Sequence, residues 1–124
     1  MALGTTADYL VRLANDNRFP WIILIPRVES ITELYQLTLA QQQTLALDSA
    51  KLGSELMEIF QGESLNTGAL GNVVRQLHIH HIVRYESDQA WPGPVWGAGS
   101  VTAYSEQELS ERVHLLRQEL TILK

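Results

Sequence analysis

Three of the chain's four histidines, His78, His80 and His81, fall within four consecutive positions. They sit in Gln76-Leu77-His78-Ile79-His80-His81-Ile82-Val83, where polar and apolar residues alternate as far as His80. Side chains on a strand alternate faces with a period of two. Gln76, His78 and His80 are therefore expected on one face, with Leu77, Ile79 and His81 on the other. Two imidazoles and an amide in a row are costly to bury unless each finds a partner. Ordinary hydrogen-bonded surface histidines are one account of the row. Two chemical readings stand beside it. Neutral imidazole is a nucleophile near neutral pH, and a second imidazole beside it can move a proton. Attack on phosphorus would give a phosphoimidazole that water then opens. Alternatively, His-x-His on a strand is a chelating pair for a metal. Gly71, His78-x-His80, Glu86 and Gly93 come within one or two residues of the cupin spacing. Cupins are all-β barrels, however, and much of this chain has helical periodicity.

The elements that must position these residues are legible in outline. Residues 7–18 alternate apolar and polar, and Asn15-Asp16-Asn17 reads as a turn. Trp21-Ile22-Ile23-Leu24-Ile25 is a continuous apolar run bracketed by Pro20 and Pro26, a short strand expected to be covered on both faces. Ser30 with Glu33 predicts a capping box opening a short helix, and Thr38 with Gln41 a second one. From there Leu45, Leu52, Leu56, Ile59 and Phe60 recur at helical spacing, giving a main amphipathic helix of about 20 residues, with Gly62 as its C-terminal cap. Residues 64–85 predict two strands joined by a turn around 67–71. Residues 86–100, dense in Gly, Pro and Trp, predict an ordered loop. Ser105 with Glu108 is a third capping box, before a C-terminal helix marked by Leu109, Val113, Leu116 and Leu120. The order predicts an α+β domain with an antiparallel sheet.

Composition sets the outer bounds. The 124 residues predict a single domain, 1–124, long enough for its own core. Nine basic residues against fourteen acidic give a net charge of −5, which argues against a nucleic-acid polymer as partner. The absence of cysteine excludes disulfides, zinc-thiolate sites and cysteine nucleophiles. No apolar run approaches the roughly 20 residues that span a bilayer. Residues 1–6 lack the basic and apolar segments of a signal peptide, so the cytoplasm is the default compartment.

The segment 65–97 resembles the histidine-triad (HIT) superfamily of nucleotide hydrolases and transferases. Its motif is His-φ-His-φ-His-φ-φ, with φ apolar, on a strand of an antiparallel sheet. Here it runs Gln-Leu-His-Ile-His-His-Ile, so Gln76 stands where the first histidine stands and His81 takes an apolar slot. Asn66-x-Gly68 with Gly71-Asn72 resembles the family's Asn-x-Gly … Gly-Gln segment. Residues 21–27 are similar to its early strand ending in Ile-Pro-Lys. Residues 90–97 are similar to the Trp-Pro-rich end of one branch. The resemblance extends over residues 8 to about 100.

The resemblance implies a HIT-like α+β fold with one long amphipathic helix and a C-terminal helix. It implies His78 as the nucleophile at the α-phosphorus and His80 as the group assisting the leaving group, with Gln76 beside them. Asn66 and Asn72 match positions whose amides contact phosphate or the catalytic histidine, and Asn15 or Asp16 matches the residue that holds the ribose hydroxyls. It further implies a nucleotide or nucleoside phosphate as ligand, a homodimer with joined sheets, and no metal or other cofactor in the covalent step. Gln76 can hydrogen-bond but cannot act as acid or base. Val73 stands where a hydroxyl is often found. A binding module without turnover is therefore the alternative reading.

Among the remaining residues, Arg84 shares parity with His78 and His80 and is the best-placed arginine for a phosphate, whereas Arg75 points away. Trp91 and Trp96 are read more simply as anchors of a loop or subunit interface than as base-stacking residues. His114 reads as a solvated or half-buried helix residue.

Overall fold

In the computed structural model, which describes residues 1–124, the run between Pro20 and Pro26 becomes the middle strand of a five-stranded sheet. The strands are β1 (Ala2–Thr5), β2 (Tyr9–Leu13), β3 (Trp21–Pro26), β4 (Ser64–Ala69) and β5 (Ile79–Arg84). Their spatial order is β1-β2-β3-β5-β4, and every neighbouring pair is antiparallel. Helix α1 (Leu39–Phe60) and helix α2 (Glu106–Glu119) complete the α+β fold. No helix is long and apolar enough to cross a membrane. The sheet is open, with β1 and β4 as its edges, so the barrel that a cupin reading needs is absent.

The two faces of the sheet carry different jobs. On β3, Ile22 and Leu24 are fully buried while Trp21, Ile23 and Ile25 are half-buried, so the run is covered more on one face than on the other. Ile22 and Leu24 join Val11, Leu13, Val83, Leu52, Leu56 and Leu116 in one apolar cluster. Each such side chain contributes roughly 1.5–3 kcal/mol by leaving water.

Helix α1 starts where its capping box predicts. The Gln41 amide donates to Thr38 Oγ1 at 3.1 Å, and the Thr38 amide to Gln41 Oε1 at 2.9 Å. Ser105 and Glu108 repeat the arrangement on α2. Ser30 does not cap a helix. It has a φ of 60°, and the short 3-10 turn, Leu34–Gln36, begins four residues later, with Glu33 as its N-cap and Glu33 and Gln36 as its box. The cap beyond α1 also differs: Gln61, not Gly62, takes the left-handed conformation, at φ 50°. Gly62 is needed for closeness, because a Cβ there would run into Val83 and Met57. The turn expected around 67–71 is longer. Strand β4 runs to Ala69 and β5 opens only at Ile79, so Gln76 and His78 lie in the connection and not on the strand.

Candidate active site

Strand register decides which side chains meet. His80 lies opposite Ile23 on one side and Gly68 on the other, while Ile82 lies opposite Trp21 and Asn66. These residues share the face turned away from the helices. The loop 86–100 folds over that face, and Phe19, Ile82 and Val95 are buried there with Trp21, Ala90 and Trp96 against them. On the other face of β5, His81 and Val83 point to the helix side, fully buried. The parity expected for residues 77–81 is therefore the one observed.

The His78 and His80 rings are 4.9 Å apart and near-perpendicular, at 71°. His80 is 6% exposed, and His78 is half-buried. The hydrogen bonds fix both tautomers. His78 Nδ1 lies 2.6 Å from the main-chain carbonyl of Gln76. A carbonyl only accepts, so Nδ1 carries the proton and the lone pair of Nε2 is free. For His80 the order is reversed: the indole Nε1–H of Trp21 donates to Nδ1 at 2.8 Å, so the proton is on Nε2. Burial holds the His80 pKa down to about 4, with His78 and His81 adding to the effect. In its neutral form His78 thus presents a nucleophilic Nε2 beside the N–H donor of a neutral His80.

Gln76 contributes mainly through its backbone. Its side-chain amide is turned towards the end of β3, 3.3 Å from Pro26 O and 3.4 Å from Val28 O, and the Leu77 amide donates to Ile31 O at 2.8 Å. These ties hold the approach to β5 in place and aim the Gln76 carbonyl at His78.

The other expected residues fall elsewhere or are engaged. Arg84 is on the predicted face but only 1% exposed. Its guanidinium grips the Asp88 carboxylate at 2.8 and 3.0 Å and donates to Asn66 Oδ1 at 2.7 Å. That pairing holds the Asp88 pKa down to about 2. A phosphate would have to compete with this closed network for Arg84. Asn72 is exposed in the connection before β5. Asn15 accepts the Tyr104 amide at 3.0 Å. Asp16 is 2% exposed and is gripped by Arg18, whose Nη1 also reaches Ala98 O at 2.5 Å. Burial alone would raise the Asp16 pKa, but the bonds from Arg18 prevail and lower it. Asn15 and Asp16 thus tie the β2–β3 loop to residues 98–104.

Two indoles were not singled out by sequence as site residues. Trp21 bonds His80, and Trp96 packs edge-on against it at 5.2 Å. The Trp96 Nε1 is the one buried side-chain polar atom without a partner. The signal for Trp21 was an aromatic in the strand before the histidines, but only the register shows that it meets His80. Glu, Asp and His side chains do not gather into a group of three or more that could hold a metal.

A family model described as HIT domain matches residues 1–87. A histidine triad protein from Marinobacter aquaeolei VT8 shares 46% identity and a TM-score of 0.94, covering 100% of this chain and 90% of that one. One from Sinorhizobium meliloti 1021 shares 39% identity and a TM-score of 0.91, covering 97% and 89%. Another from Bradyrhizobium japonicum shares 34% identity and a TM-score of 0.91, covering 97% and 90%. None of the curated proteins compared matches the sequence significantly.

Proposed function

The chain belongs to the HIT-domain family, and on that footing we propose that it hydrolyses or transfers at the α-phosphate of a nucleoside phosphoramidate or dinucleotide polyphosphate. The observation that carries this reading is the 2.6 Å bond from His78 Nδ1 to the Gln76 carbonyl, which leaves Nε2 free to attack. A nucleophile so oriented needs little reorganisation to reach its target.

In the first step a bond forms between His78 Nε2 and the α-phosphorus. The bond from phosphorus to the leaving group breaks, and its electron pair departs with that group. The positive charge gained by the His78 ring is stabilised by its Nδ1–H bond to the Gln76 carbonyl. His80 Nε2–H offers a hydrogen bond to the charge developing beside it. Water then attacks the phosphorus, releases the nucleoside monophosphate and returns His78 to its neutral form. Asn66 and Asn72 are the phosphate-contacting amides in this reading; Arg84 acts behind Asn66, through the bond they share. No metal or other cofactor enters the covalent step. The free edge of β4 is where a second copy would join the sheet of a homodimer.

Release of AMP from an adenosine phosphoramidate and from diadenosine triphosphate tests the reading. The wild type is expected to release AMP, and His78→Ala is expected not to. Equal release by the two proteins would end the assignment. Gln76, which cannot act as an acid, and Val73, 93% exposed with no hydroxyl, favour one second reading, a nucleotide-binding module without turnover. Calorimetric binding of AMP with no turnover of either substrate would select it.

A further inference from the structure

The indole N–H of Trp21 can only donate, so its 2.8 Å contact with His80 Nδ1 requires a lone pair there. Protonating His80 would put a second N–H against the indole and break that bond. Trp21 is not free to turn away. Its backbone is paired opposite Ile82, and its ring packs against the Phe19, Ile82 and Val95 cluster. The rest of the face supplies no substitute. The Gln76 amide carries no transferable proton and is turned to Pro26 and Val28. His81 lies on the opposite face, between Ser49 and the Ile22 carbonyl. His80 Nε2 makes no bond within the protein, yet it is not among the buried unpartnered atoms, so it remains accessible from outside.

We propose that Trp21 is a positioning residue that fixes His80 as a hydrogen-bond donor and not a proton carrier, so that the site favours leaving groups that depart as stable anions over amines. This rests on the hydrolase reading above. An amine leaving a P–N bond must gain a proton as it goes. A nucleotide leaving a P–O–P bond keeps the electron pair on the bridging oxygen as an ordinary terminal phosphate and needs no proton at neutral pH. His80 Nε2–H hydrogen-bonds that oxygen without transferring its proton. The low proton affinity of the buried His80 ring agrees with this role.

The test uses the full chain with two probes, diadenosine triphosphate and an alkylamine phosphoramidate of adenosine. Wild type is expected to favour the first by about a hundredfold or more in kcat/KM, the low end of one general-acid contribution. Trp21→Phe keeps an aromatic ring but removes the N–H. It is expected to narrow that ratio by about tenfold, with KM changing less than kcat. Imidazole 15N spectra give a readout that a merely structural role would not move. Wild-type His80 should be the Nε2–H tautomer alone, and Trp21→Phe should show a mixture. Wild-type His80 protonated on Nδ1, an unchanged tautomer in Trp21→Phe, or a wild-type preference for the amine substrate would each overturn the proposal. If wild type turns over neither probe, the hydrolase reading falls and takes the leaving-group preference with it. The spectra then still decide whether Trp21 positions His80.

Discussion

His80 and His81 are neighbours in sequence, both buried in the same strand, and they have opposite fates. His81 is fully buried on the helix side. Its Nε2 takes a hydrogen bond from Ser49 Oγ at 2.6 Å, and its Nδ1 faces the Ile22 carbonyl at 3.4 Å. Both nitrogens are engaged within the fold, so the ring is part of the core. His80 has one nitrogen held by Trp21 and the other left over, beside a second imidazole whose own lone pair is free. Burial lowers the pKa of both rings. What separates a structural histidine from a candidate catalytic one here is whether a nitrogen remains without a partner inside the protein, and the alternation of the strand decides that.

The largest expected effect comes from removing the free lone pair. His78→Ala should lower kcat on the order of 10⁴-fold, as losses of a nucleophile do, while stability shifts by about 1 kcal/mol or less because the ring is half-buried. Steady-state kinetics and urea unfolding on the same preparation check both halves. His81→Ala should invert the pattern. It leaves a cavity and strands the Ser49 hydroxyl, which together cost about 3 kcal/mol, with kcat per folded molecule unchanged. Should His81→Ala abolish turnover in a protein that remains folded, the two rings are not separable as described.

Acid provides a third way to probe the pair. Both rings are neutral in the native state and gain protons more readily when unfolded, near the ordinary histidine pKa of about 6.5. The stability they contribute is therefore complete above that value and is lost as the pH falls. For His80 the loss continues down to its folded value of about 4. At roughly 1.4 kcal/mol per unit, His80 accounts for about 3 kcal/mol of the decline. Urea midpoints at pH 7 and pH 5 capture about half of it, and a midpoint that rises on acidification would contradict the sign. The smallest effect belongs to Trp96. Its indole N–H has no partner to lose, so Trp96→Phe should change stability by about 0.5 kcal/mol or less in thermal unfolding.

Local physics made much of this fold legible in the sequence. The capping boxes at Thr38 and Ser105 involve residues three positions apart, and both form as expected. The alternation in 77–81 put Leu77, Ile79 and His81 together on one face without knowledge of the partner strands, and the structure shows that face to be the one packed in the core. Ser30 and Gly62 show where local signals mislead. Gln36 offers Glu33 a rival box, and a side-chain collision with Val83 and Met57, distant or one turn away, explains Gly62 better than its φ does. Residues 76 and 78 fit a strand pattern, but pairing with β3 and β4 begins only at Ile79.

Among the site residues, the two histidines were legible because spacing alone sets them side by side. The arginine and asparagine residues were not, because their fate depends on who reaches them. Arg84 meets Asp88 four residues on and Asn66 on the neighbouring strand, and Asp16 meets Arg18 across a turn. Trp21 needs the register of β3 against β5, which no spacing in a single sequence reports.

The most direct test is to trap the intermediate. Wild-type protein mixed with diadenosine triphosphate, quenched in base to preserve the acid-labile P–N bond and digested for peptide mass mapping, should carry an adenylyl group on His78, and His78→Ala should carry none. Turnover of the substrate with the label on another residue, or with label appearing equally in both proteins, would contradict the account.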